Sequence, residues 1–353
     1  MRKAIGLVGL TLFLLLLSFL AWKVLVSPAT TPIEGTASVA SLEKVELGGL
    51  EQWVLMRGSD TTNPVLLWLH GGPGAAQMPV ARYFNGVLEE EFVVVHWDQR
   101  GAGKSNSRHF DEKTMTFGRF LADAHELTQH LKKRFDKRKI FLLGHSWGSY
   151  LGIKLAQQYP EDYHAYLGVS QVVNSCKAGE VAYSWLLQQL EARQATHDLN
   201  KLQKLGKPPY PEHDQYVRFM GLVDDYGGGM DVGVTQLAFI ALRAPEYRLA
   251  DYPAWVEGAI RGSGPMWDET KTYDLAKEVP KVQVPVYFFM GENDYNTPVA
   301  VLREYYRTLE APGGKRLVVF EHAAHTPFMA APEKFNREVL RVKAATLPNA
   351  QSP

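Results

Sequence analysis

Residues 140–160 read IFLLGHSWGSYLGIKLAQQYP, and this stretch limits the fold of the chain more than any other. IFLL is a short apolar run with no polar alternation, as in a strand buried on both faces. A helical run follows and stops before Pro160, which cannot continue a helix. Between strand and helix lies a tight turn with Ser146 at its apex and Gly144 and Gly148 on either side. So abrupt a reversal brings backbone against backbone, and the glycines remove side chains that would collide. The serine is expected on a strained backbone with its hydroxyl exposed. The helix behind it aims its N-terminus at the point where negative charge would develop. A bare Gly-x-Ser-x-Gly is a weak signal, but strand before and helix after make it specific.

Other segments repeat the buried-strand pattern. VLLWL (Val65–Leu69), FVVVHW (92–97), IFLL (140–143), VYFFM (286–290) and LVVF (317–320) are short and apolar throughout, which predicts a parallel sheet covered by helices. Phe117, Phe120, Leu121, Ala124, Leu127, Leu131 and Phe135 share one helical face. Thr297 followed by Pro298 predicts a helix start. Residues 43–47 and 52–57 alternate and flank Gly48 and Gly49, which predicts a hairpin. From 172 to 281 the pattern changes: the stretch is rich in Trp, Tyr, Gln and Gly, includes DYGGGM at 225–230, and has no strong strand run. The expected class is α/β: a mostly parallel sheet flanked by helices, core segments 41–171 and 282–347, a helical cap insertion over 172–281, and a tail over 348–353.

A lone serine is a poor nucleophile and needs a base and an acid that orients it. After a strand–turn–helix of this kind the chain order is serine, acid, histidine. GENDYNTP follows the VYFFM strand and supplies Asp294, with Glu292 as its rival; EHAAHTPF follows LVVF and supplies His325, with His322 as its rival. Asp294 lies deeper in its loop, and His322 lies close to the strand end, so Asp294 and His325 are preferred. Two backbone N–H groups are needed to hold an oxyanion. Trp147, next after the serine, supplies one, and Gly72 in HGGPG, directly after VLLWL, supplies the other. GAGKS at 101–105 resembles a phosphate-binding loop, but the full pattern needs glycine where Asp98 stands.

Formal net charge is zero, which gives no reason to expect nucleic acid, and Cys176 is alone, so no intrachain disulfide can form. No metal or cofactor is implied. Arg2 and Lys3 precede an uncharged apolar run over 4–22. At about 1.5 Å per residue this run spans about 30 Å, the hydrocarbon core of a bilayer. Residues 1–26 are therefore expected to be a transmembrane anchor, with the catalytic domain outside the cytoplasm; a cleaved signal and a secreted protein is the alternative. Residues 27–40, rich in Ser, Thr, Pro and Ala, read as a flexible linker.

HGGPG, DQRGAGKS, GHSWGS, GENDYNTP and the late His325 together resemble the α/β-hydrolase superfamily, most closely its prolyl iminopeptidase branch. The resemblance covers residues 41–171 and 282–345. It implies the α/β-hydrolase fold, a Ser146–Asp294–His325 triad, an oxyanion loop at HGGPG and a structural role for DQRGAGKS. It also implies cap glutamates that hold a substrate's free amino terminus. Glu180, Glu246 and Glu257 are the candidates, and Trp255, Trp185 and Trp267 would instead give an aromatic pocket. The expected function is a serine hydrolase acting through an acyl-enzyme on a small molecule or short peptide, first a prolyl iminopeptidase-like aminopeptidase. The alternative is a carboxylesterase or amide hydrolase for small apolar acyl groups, and a remote one is a non-catalytic binding protein on the same fold. An acidic pocket at Ser146 would favour the peptidase, an aromatic one the esterase.

Overall fold

In the computed structural model the described residues are 29–106 and 110–347, together with Leu14 and Ser18. The anchor or signal expected over 1–26 and the tail expected over 348–353 therefore fall outside the described residues, save those two. Among the described residues no helix is long and apolar enough to cross a membrane.

Eight strands form one sheet: β1 (Val39–Leu47), β2 (Leu50–Gly58), β3 (Val65–Leu69), β4 (Val93–Trp97), β5 (Ile140–His145), β6 (Tyr163–Val169), β7 (Val286–Gly291) and β8 (Lys315–Phe320), in the order β1-β2-β4-β3-β5-β6-β7-β8. The expected hairpin is β1 and β2, paired antiparallel through Gly48 and Gly49, both in left-handed backbone. β2 meets β4 antiparallel, and every later pairing is parallel. Alternate residues of each central strand feed two separate cores. Leu67, Leu69, Val95 and Leu142 pack into one, with Phe120 and Leu127 of the helix Phe117–Arg134. Leu66, Trp68, Val94 and Phe141 pack into the other, with Phe335 and Val339 of the helix Pro332–Thr346. Period-two geometry with both faces covered is why these strands are predominantly apolar on both faces.

The sequence reading missed β6. Its residues YHAYLGV break the apolar run with His164 and Gly168, although most of the strand is buried. Between β6 and β7 the described chain is helical apart from turns and residues of two isolated bridges, Asn174 with Asp274 and Lys281 with Glu310. The helices used below are α1 (Met78–Asn85) and α2 (Trp147–Gln158) of the core and α3 (Ser175–Ala192), α4 (His213–Asp225), α5 (Val234–Arg243) and α6 (Tyr252–Arg261) of the cap. Cap residues Ala182, Leu186, Leu202, Phe219 and Val223 form a small core of their own.

The linker expected over 27–40 departs from a flexible spacer. Ala29 N–H donates to Pro245 O (3.4 Å), the Thr30 hydroxyl donates to Glu246 Oε1 (2.8 Å), and the Arg57 guanidinium donates to Thr30 Oγ1 and the Thr31 carbonyl. Arg57 also pairs with Glu89 at 2.9 Å, and Arg82 pairs with Glu246. These charges are largely buried, so each needs its partners, and Thr30 and Thr31 are drawn in to complete the set. β1 then begins at Val39, inside the expected linker. A chain beginning at Glu34 should therefore be about 1–3 kcal/mol less stable in urea unfolding than one beginning at Ala29. Equal stabilities would mean that these contacts contribute nothing.

Candidate active site

Ser146 sits between β5 and α2 at φ +54° and ψ −126°. Its N–H donates to Val169 O at the end of β6 (2.9 Å). The glycines around it fill tight places. A Cβ on Gly144 would lie 2.2 Å from Gly148 O, and one on Gly148 would lie 2.4 Å from Leu69 O and 2.5 Å from His70 O. Helix α2 thus begins in direct backbone contact with the end of β3, and the serine is held in a conformation that costs about 1–3 kcal/mol.

His325 Nε2 lies 2.8 Å from Ser146 Oγ, and its Nδ1 lies 2.9 Å from Asp294 Oδ2. Three residues from separate loops are joined in one hydrogen-bonded chain. Asp294 Oδ1 accepts from the N–H groups of Asn296 (2.9 Å) and Thr297 (2.8 Å), and Oδ2 also accepts from the Thr297 hydroxyl (2.7 Å). The Thr297 hydroxyl therefore serves the carboxylate instead of capping the following helix, which starts one residue later than expected, at Val299. Burial pushes the Asp294 carboxyl up, but the His325 ring and the Thr297 donors outweigh it and hold its pKa below the ordinary value. Burial pushes the His325 imidazole down; Asp294, and after it Asp231 and Asp224, more than offset this and leave it above the usual histidine value. The rivals Glu292 and His322 are both exposed.

A second histidine, His145, supports the first from behind. Trp68 Nε1–H donates to Gln77 Oε1 (2.9 Å), which fixes the orientation of that amide. Gln77 Nε2 then donates to His145 Nδ1 (2.7 Å), leaving His145 Nε2–H to donate to His325 O (2.8 Å). The Ser170 hydroxyl donates to the same carbonyl (2.9 Å). Burial pushes His145 down to about 3, so it stays neutral and keeps this tautomer. Sequence reasoning gave His145 no role. Its place inside the GHSWGS turn was the only signal.

HGGPG lies opposite the serine, with Gly72 at φ +112°. Among the described residues, neither the Gly72 nor the Trp147 N–H is used by a turn or loop hydrogen bond. HGGPG is tied to the DQRG loop, because Gln99 N–H donates to His70 Nε2 (3.1 Å) and Gln99 Nε2 donates to His70 O (3.2 Å). In that loop Asp98 accepts from Lys104 N–H (2.8 Å) and the Tyr247 hydroxyl, while Lys104 Nζ pairs with Asp251 at 2.7 Å. GAGKS thus links core to cap.

Ser146 and His325 open into a cavity of about 560 Å³ beneath the cap. Trp255 and Trp267 line it, and the Trp255 Nε1–H donates to Ala76 O (2.7 Å). Trp185 instead stacks on Tyr295, ring centres 4.0 Å apart. The candidate glutamates are not brought to the cavity. Glu180 is exposed on the outer side of α3, whose Ala178, Gly179 and Ala182 face inward. Glu246 is turned away and consumed by Arg82 and Thr30, since a carboxylate so buried needs a cation. Glu257 is exposed on α6. No aspartate or glutamate is among the described residues that line the cavity. The one charged residue among the described residues that line it is Lys271, paired with Asp268 at 2.6 Å.

The family model described as "Serine aminopeptidase, S33" matches residues 61–218. A curated relative named "Probable aminopeptidase YbaC", from Bacillus subtilis (strain 168), is 34% identical over 86% of this chain and 96% of its own length. A proline iminopeptidase of Saccharolobus solfataricus is 26% identical, covering 78% of this chain and 83% of its own. Among solved structures, a proline iminopeptidase of Mycobacterium smegmatis superposes with a TM-score of 0.63 at 20% identity, over 87% of this chain and 99% of that one. At that identity the structural likeness speaks for the fold alone.

The contact of α2 with β3 gives a direct test. Gly148→Ala should lower stability in urea unfolding by about 1–3 kcal/mol or more, because the added methyl meets two backbone carbonyls that cannot step aside. An alanine variant as stable as the wild type would contradict this packing.

Proposed function

Because the chain belongs to the prolyl iminopeptidase-like branch of the α/β-hydrolase superfamily, we propose that it is a serine hydrolase of the aminopeptidase type, working through an acyl-enzyme. The observation that carries this reading is the unbroken chain from Ser146 Oγ through His325 to Asp294, at 2.8 and 2.9 Å, with Ser146 and His325 lining the cavity beneath the cap.

In this mechanism Ser146 Oγ attacks the scissile carbonyl carbon. His325 Nε2 takes the hydroxyl proton and delivers it to the leaving nitrogen or oxygen as that bond breaks. Water, deprotonated by the same imidazole, then cleaves the ester on Ser146. Asp294 holds the ring with Nδ1–H toward itself and stabilises the imidazolium. The N–H groups of Gly72 and Trp147 receive the oxyanion. The base must be neutral to accept a proton, and its pKa lies above the usual histidine value. Activity is therefore low at acid pH and rises as pH climbs through that value, with the limb above about 6.5.

A cavity wall without a carboxylate among the described residues favours a second reading, the esterase or amide hydrolase for small apolar acyl groups. An ammonium group placed there meets no carboxylate, so amine recognition should be weak. The membrane reading is also a proposal: residues 1–26 hold the catalytic domain to the outer face of a membrane, and alkaline extraction of membranes carrying the full chain would test it.

Two outcomes follow. Ser146→Ala should remain folded, lose about four orders of magnitude of hydrolysis and no longer react with a fluorophosphonate; retained labelling would end the serine-hydrolase reading. On a prolyl arylamide and its N-acetylated form the aminopeptidase reading expects faster cleavage of the free amine; rates within about tenfold of each other, as a wall with no carboxylate to leave unpaired would give, would favour the second reading. A preference above about a hundredfold for the free amine would restore strict amine recognition. Faster cleavage of a short acyl ester than of either arylamide would establish the second reading.

A further inference from the structure

Residues 226–233, which carry the glycines of DYGGGM and the Asp231 that follows them, form the link between α4 and α5. This link grips the loops of both Asp294 and His325. Tyr295 N–H, next to the acid, donates to Gly228 O (2.8 Å), and His325 N–H donates to Gly229 O (2.8 Å). The Asp231 carboxylate accepts from Ala324 N–H at Oδ1 (2.5 Å) and from Thr326 N–H (2.6 Å) and the Thr326 hydroxyl (2.9 Å) at Oδ2. Asp231 N–H donates back to Thr326 Oγ1 (3.3 Å). The link is itself braced, because Asp224 accepts from Met230 N–H.

We infer that Asp231 is a positioning residue for the reaction: its carboxylate, supplied by the cap, clasps the backbone on both sides of His325 and sets the imidazole against Ser146. The inference rests on the reading of His325 as the base. Asp231 is not among the cavity-lining residues, so it acts on the ring and not on substrate. Its chemistry suits the place. Two oxygens accept three donors, whereas an asparagine would turn an NH2 group toward one of the backbone N–H groups. The charge acts as well. His325 is faced by Asp294 from the loop after β7, by Asp231 and Asp224 from the cap, and by neutral His145 from β5. Removing the Asp231 charge lowers the pKa of the imidazole. The base becomes neutral at lower pH, and the acid limb moves down.

The test is the rate of Ser146 labelling by a fluorophosphonate as a function of pH, which needs no knowledge of the natural substrate, together with kcat and KM on an arylamide. Asp231→Asn should lower the plateau labelling rate on the order of tenfold. It should move the acid limb down by a few tenths of a pH unit and reduce kcat with KM nearly unchanged. Asp231→Glu retains the charge, so its limb should return to the wild-type position while the plateau stays low. Wild-type plateau and limb in Asp231→Asn would overturn the inference, even if the variant were less stable. Should that variant fail to fold, Thr326→Val removes the hydroxyl that donates to Asp231 Oδ2 and accepts from Asp231 N–H; a plateau lowered severalfold supports the clasp and an unchanged one overturns it. His325→Gln separates the two readings. If it labels normally, the base assignment has failed; if labelling is lost while Asp231→Asn behaves as wild type, only the positioning role has failed.

Discussion

The backbone of Ser146, at φ +54°, is the constraint around which the molecule is arranged. An L-residue stays in such a conformation only when its surroundings leave no alternative. Here three strand ends do so together. β5 delivers the serine, the carbonyls at the end of β3 press on Gly148, and Val169 at the end of β6 takes the serine N–H. Relaxing the turn would require separating strands that are buried on both faces by two independent cores. The strain is small beside that packing, so it persists and leaves the hydroxyl turned to the cavity.

The histidine faces the opposite problem, since it lies in a loop and loops move. Its backbone is fixed at both polar groups. The carbonyl is held by His145 and Ser170 of the core, and the N–H by Gly229 of the cap. The imidazole position therefore depends on core and cap at once. A cap displaced from the sheet would draw the N–H side while His145 retained the carbonyl, and the 2.8 Å contact with Ser146 would suffer first.

What could be read in the sequence was whatever local chemistry determines. The serine turn, the buried strands and the loops after β7 and β8 follow from glycine spacing and apolar runs, and the structure places Ser146 and Asp294 each within hydrogen-bonding reach of His325. Contacts set by tertiary packing were not legible. β6 was hidden by His164 and Gly168, which pattern reading takes for interruptions. Thr297 has the form of a helix cap, yet its hydroxyl belongs to a carboxylate three residues back. Glu246 seemed available to substrate because nothing in its own neighbourhood reveals that Arg82, far away in the chain, neutralises it. Thr30 and Thr31 sit in a stretch of spacer composition, and only the buried Arg57 draws them onto the core.

The charges near the reaction centre share one arrangement. Asp294, Asp231 and Asp224 all act on His325 from behind, away from the cavity, whose wall carries no carboxylate among the described residues. In the proposed mechanism, when the imidazole accepts the serine proton the positive charge would already be faced by negative charge fixed in a region of low polarity, where such interactions are strong. In that mechanism the oxyanion would form on the other side, against backbone N–H groups and a wall that carries no anion among the described residues. Carboxylates lining the cavity would help to bind an ammonium group but would oppose that oxyanion. If His325 is the base, placing them behind it would concentrate the field on proton transfer and leave the choice of acyl group to the shape of the cavity.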